Sequence, residues 1–152
     1  GREGGNNLQN DGGYMSHFSQ GPLRSEDELI FYYGCSSLGK NHAPGRRITG
    51  GGIFRARLRP DGFVSVDHGE FTTPKLELPA GELEVNAVGP VEVELLSEGR
   101  KKMAPTARIE GDDLRHSVRF GGRRLSDFLS DQPIRLRFRV SQAGQLFSFT
   151  VR

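Results

Sequence analysis

The stretch IRLRFRVSQAGQLFSFTV, residues 134–151, decides the fold. Ile134, Leu136, Phe138 and Val140 alternate with Arg135, Arg137 and Arg139. Side chains two apart on an extended chain share a face, so this is a strand with one apolar and one basic side. Ser141–Gly144 then reads as a turn and QLFSFTV as a second long strand. Period two with one apolar face means a sheet buried on one side, and such a sheet needs a second layer against it.

Upstream the same pattern recurs. In VEVELLSEG, Val91, Val93 and Leu95 alternate with Glu92 and Glu94. TTPKLELPAGELEVNA puts Leu76 and Leu78 on one face, then a Pro-Ala-Gly turn, then Leu83, Val85 and Ala87 on one face. A basic turn region, RKKMAP, precedes a loop around Glu110-Gly111-Asp112, and Ser117–Phe120 reads as a short strand ending at Gly121-Gly122. LSDFL, from Leu125, suits one helical turn. No run of period 3.6 is long enough to form a helical core. The fold class expected is therefore all-β: an antiparallel β-sandwich, jelly-roll or concanavalin-like, over residues 69–152. Its core should draw on Leu83, Val85, Val91, Val93, Leu95, Val118, Phe120, Ile134, Leu136, Phe138, Phe147 and Phe149.

Residues 1–68 have a different texture and are read as a β-meander. After a polar, glycine-rich start at 1–13 come the strand candidates YMSHFS, ELIFYY, IFRARL and FVSV. GPLRSED and residues 34–52 are read as loops. Pro60-Asp61-Gly62 is a tight turn by residue chemistry and is expected to fold FVSV back onto IFRARL.

Composition narrows the function classes. At 152 residues with 34% hydrophobic side chains, the chain is long enough for a core without staples. The 21 glycines and 8 prolines favour turns over long helices. Cys35 is the sole cysteine, so no intrachain disulfide forms. No apolar run reaches membrane-spanning length. The N-terminus shows no secretory h-region, which leaves the compartment open; as part of a longer chain, secretion or a periplasmic location is compatible. Net charge is +2, but Arg100 to Arg139 holds 11 Lys plus Arg against 5 Asp plus Glu. A basic stripe of Arg135, Arg137 and Arg139 would suit phosphate or a sulfated polymer. The plainer reading is a solvated face with Glu92 and Glu94, or Glu82 and Glu84, as cross-strand partners. Nucleic acid is not the expected partner, because the aromatics alternate into the core rather than across a basic face.

Catalytic motifs are missing. His17, His42, His68 and His116 are scattered, without HxH, HExxH or Cys-His spacing, so no metal site is assigned. Glu26-Asp27-Glu28 and Asp112-Asp113 are acidic pairs that read first as loop and turn residues. Glycoside cleavage needs two carboxyls held across a cleft, and nothing in the sequence imposes that geometry. Gly50-Gly51-Gly52 leads into a strand and not a helix, so no phosphate loop is built, and no cofactor is implied.

Two stretches together carry a resemblance. DELIFYYGCSS followed by ITGGGIFRARLRPDGFVSVD resembles the end of the catalytic propeller in glycoside hydrolases of the invertase/fructosidase and arabinanase/xylosidase superfamily. FTTPKLELPAGELEVNA, VEVELLSEG, IEGDDLRHSVRFGG and PIRLRFRVSQAGQLFSFTV are similar to the β-sandwich that follows such propellers. The resemblance spans roughly residues 17–151. It implies a last propeller blade followed by a non-catalytic C-terminal accessory or structural sandwich, in a parent protein that acts on carbohydrate. It implies catalytic carboxylates on earlier blades, so no catalytic residue is assigned to this chain and the chain alone is not expected to be an enzyme. His17, Tyr32 and Tyr33 are the candidate carbohydrate contacts, on the cleft side of the blade. The partners expected are carbohydrate or an upstream propeller domain, with no membrane. The alternatives are a stand-alone carbohydrate-binding module or an adhesion or interaction sandwich. With no Trp and only Tyr14, Tyr32 and Tyr33, aromatic supply for sugar stacking is small.

Overall fold

A computed structural model describes residues 14–36, 51–130 and 132–152. It is all-β, with antiparallel pairing in every sheet and one 3₁₀ turn at Leu125–Phe128 among the described residues. None of its described helices is long and apolar enough to cross a membrane. The chain divides into two compact units, one ending at Pro60 and the other running Asp61–Arg152.

The first unit is a four-stranded sheet centred on β3 (Glu28–Ser36). β4 (Gly51–Leu58) lines one edge of β3, while β1 (Tyr14–Phe18) and β2 (Leu23–Ser25) share the other. Aromatic and β-branched residues at Ile30, Phe31, Tyr32 and Tyr33 make β3 a strong strand former. The two-residue turn Glu26-Asp27 joins β2 to β3, with Glu26 at φ 48°. β2 falls in a segment read as loop, and 34–36 and 51–52 extend β3 and β4 into another. The remaining part of that loop, 37–50, and the start at 1–13 lie outside the described residues.

The expected hairpin after Pro60-Asp61-Gly62 does not form. The turn is present, with Asp61 at φ 60°, but Phe63 and Val64 are exposed in turn and bend conformation, outside the described strands. Val66 instead exchanges backbone hydrogen bonds with Leu146 (2.9 and 3.0 Å), and the Ser148 hydroxyl donates to Asp61 at 2.7 Å. Residues 61–67 therefore border the second unit's sheet. A turn's chemistry reverses the chain but does not select which edge the outgoing residues meet.

The second unit is the sandwich. One sheet has the order β5 (Gly69–Thr72), β10 (Ile134–Val140), β7 (Val91–Ser97), β8 (Ala107–Ile109). The other has the order β11 (Gln145–Val151), β6 (Leu83–Val88), β9 (Asp112–Ser117). Between them lie Leu83, Val85, Ala87, Val91, Val93, Leu95, Ile134, Leu136, Phe138 and Val140, all buried. Phe138 packs on Phe71 and Phe149, each with ring centroids 5.2 Å away.

Consecutive strands β6–β7, β8–β9 and β10–β11 each step from one sheet to the other. Val140 pairs with Val91 and Val91 with Ile109, while Val88 pairs with both Gln145 and Asp112. The three crossings thus gather at one end. They are tied together there: the Gly89 N–H donates to the Gly111 carbonyl at 2.7 Å, and the Ser141 N–H to the Pro90 carbonyl at 3.3 Å. A Cβ on Gly89 would sit 2.5 Å from the Ile109 oxygen, and one on Gly144 would sit 2.6 Å from the Pro90 oxygen. The opposite end is covered by buried Leu125 on its 3₁₀ turn, with Phe128 set edge-on to Phe120 at 6.1 Å.

Several local readings shift. The strand expected at Ser117–Phe120 lies at Asp112–Ser117; Val118 and Phe120 are buried just after it. β5 and β8 carry too little alternation to be read, and Leu76 makes only one bridge, to Ile134. Phe147 leaves the expected core. Leu146 pairs with Ala87 and Ser148 with Asn86, so Phe147 is the extra residue of a bulge; Leu146 takes the buried place and Phe147 is half-buried.

Two substitutions test this packing by urea unfolding. Phe138→Ala is expected to cost ~3–5 kcal/mol by leaving a cavity between the sheets. Gly144→Ala is expected to cost roughly 1–3 kcal/mol, whereas Gly99→Ala, whose Cβ meets nothing closer than 4.0 Å, should change stability little. Equal effects of the two alanines would show that the crossings are not closely packed.

Candidate functional site

Alternation along β3 places Leu29, Phe31 and Tyr33 on one face of the first sheet and Ile30 and Tyr32 on the other. Tyr33 is half-buried between Phe18 of β1 (centroids 5.9 Å apart) and Phe54 of β4 (5.8 Å apart). Tyr32 is 41% exposed and stands directly opposite Arg55. Its backbone is fixed by Ser19, whose N–H donates to the Tyr32 carbonyl at 2.8 Å. The two tyrosines therefore do not line one surface. His17 belongs to β1, and its side chain lies outside the described residues. Glu26 and Asp27 form the exposed turn before β3, and Glu28 accepts from Arg57 at 3.4 Å.

The face with Tyr33 carries Leu29, Phe31, Phe54, Ala56 and Leu58, matched across β3 and β4. The face with Tyr32 is mixed. It holds Leu23, Ile30, Ile53, Arg55, Arg57 and Glu28. Arg55 had no distinguishing signal in the sequence, since only the β3–β4 register sets it against Tyr32.

In the sandwich the arginine row of β10 is not a free basic stripe. Arg137 pairs in register with Glu94 and Arg139 with Glu92 on β7. Arg137 reaches Glu94 at 3.3 Å, Arg139 reaches Glu94 at 3.1 Å and Glu70 of β5 at 2.6 Å, and Arg108 of β8 reaches Glu92 at 3.2 Å. Lys102 approaches Glu94 at 3.5 Å. The cross-strand partners Glu92 and Glu94 were legible from alternation. Glu70 and Lys102 were not, because each lies in a segment without periodic pattern.

Glu94 is the buried member, with 6% of its surface exposed. Burial pushes its carboxyl up, but Arg139, Lys102 and Arg137 together outweigh this and hold it below the usual carboxylate range. Hydrogen bonding to Glu70, then the charge of Glu94, raises the Arg139 guanidinium. Glu98 is lowered by its hydrogen bond and ion pair with Lys75. Arg135 donates to the Thr73 carbonyl at 2.9 Å, and its buried Nε has no partner among the described residues.

A depression of about 230 Å³ opens beside the strand crossings, lined by Pro90, Val91, Glu92, Arg108, Arg139, Val140 and Ser141. Its charged side chains are bonded to one another or to Glu70 and Glu94. Among the described residues, no three His, Cys, Asp or Glu side chains gather as a metal site. No family model, curated protein or solved structure matches the chain.

The Glu94 cluster makes stability depend on pH. Its folded carboxyl is lowered, so its contribution is complete above the unfolded value, near 4.5, and is lost as pH falls through the folded value. Glu94→Gln is expected to cost about 1–2 kcal/mol at neutral pH, at the low end for a buried pair because water reaches the arginines. In urea unfolding followed against pH, the difference from the parent should shrink in acid. A constant difference would remove the ionic account.

Proposed function

We propose that the chain is a non-catalytic C-terminal accessory region of a glycoside hydrolase, a blade-like sheet followed by a structural β-sandwich, acting beside an upstream propeller. The observation that carries this reading is the chemistry of the carboxylates. Glu94, the least exposed of the described carboxylates, lies 3.1 Å from Arg139, 3.3 Å from Arg137 and 3.5 Å from Lys102, a setting for an ion-pair partner and not for a general acid. The order of elements, sheet then sandwich, fits the resemblance over roughly residues 17–151. So does the first unit, a four-stranded antiparallel sheet of the size of a propeller blade.

The chain alone is expected to show no turnover on a panel of aryl glycosides and oligosaccharides beyond a heat-killed control. Turnover that alanine at Glu26, Asp27 or Glu28 removes would make it an enzyme in its own right. The gene is expected to encode further propeller blades before Gly1. A start codon immediately preceding Gly1 would end the accessory reading.

A further inference from the structure

We infer that the Tyr32 face of the first sheet binds an acidic sugar, a uronate within an oligosaccharide, through Tyr32 and Arg55; this rests on the carbohydrate reading above. Tyr32 and Arg55 are opposite one another on adjacent strands, and both are exposed. Ile53, 82% exposed, lies on the same face two residues along β4. Gly34, opposite Ile53, contributes no side chain. The face thus presents an aromatic ring, an apolar neighbour and a guanidinium on two adjacent strands.

Arg55 differs from the other arginine on its face. Arg57 is paired with Glu28 at 3.4 Å. Arg55 and the Tyr32 hydroxyl have no hydrogen-bond or ion-pair partner among the described residues. An unpaired guanidinium beside an aromatic ring offers two things at once. The fork of N–H donors matches a carboxylate. The ring offers an apolar face with a polar tip, which suits a sugar's C–H face and its hydroxyls. A neutral sugar's hydroxyls would accept from the guanidinium without the charge-assisted, bidentate bond, so charge complementarity selects the uronate. Opposing charge on this face comes from Glu28, which Arg57 already occupies.

Isothermal titration of the 152-residue chain with trigalacturonate and with galactotriose tests the inference. Trigalacturonate should bind about tenfold more tightly or better, and the preference should fade at high salt. Arg55→Ala should abolish the preference, Arg55→Lys should retain part of it, and Tyr32→Ala should weaken both ligands. Unchanged circular dichroism and melting temperature would show that the variants fold. Equal affinity for the two sugars, or a preference indifferent to Arg55→Ala, overturns the inference while leaving carbohydrate binding intact. Failure of a wider neutral and acidic glycan panel to bind at all overturns both the inference and the carbohydrate reading.

Discussion

The hydrogen bond from the Gly89 N–H to the Gly111 carbonyl, 2.7 Å long, joins two strand crossings at the closed end of the sandwich. Much of the second unit depends on this end. Three successive strand pairs cross there, so a single packing of backbone against backbone sets the register of both sheets. Side chains at Gly89 or Gly144 would collide with carbonyl oxygens, and these cannot move without pulling a strand. Buried backbone groups must be paired. The crossings meet that demand with each other.

The outer face of the larger sheet solves a different problem. Alternation that drives Ile134, Leu136, Phe138 and Val140 inward drives Arg135, Arg137 and Arg139 outward at one spacing. Three like charges along one strand repel. β5 and β7 on either side supply Glu70, Glu92 and Glu94. These neighbours balance Arg137 and Arg139, so the outer row of β10 is not a free basic stripe.

The first unit has the opposite economy. Its sheet carries aromatic and aliphatic side chains on one face, with Tyr33 between Phe18 and Phe54. On the other face an exposed tyrosine lies beside an arginine that has no partner among the described residues. The sandwich pairs Arg137 and Arg139 with its own carboxylates, whereas this sheet presents Tyr32 and Arg55 to solvent.

By itself the sequence determined the all-β class, the antiparallel sandwich, and most of the core from Leu83 to Phe138, because period-two burial is a local property of an extended chain. Alternation also announced Glu92 and Glu94 as partners of the arginines, although not Glu70 or Lys102. Only the tertiary structure decided where the segment after Pro60 goes, which residue the bulge at Phe147 expels, and that Tyr32 and Tyr33 serve opposite faces with Arg55 set against the first. The strand Asp112–Ser117 was hidden because Leu114 is its only aliphatic residue. These features depend on register between strands distant in sequence. Register is set by the packing of whole sheets and the meeting of their crossings, and no local pattern of residues encodes it.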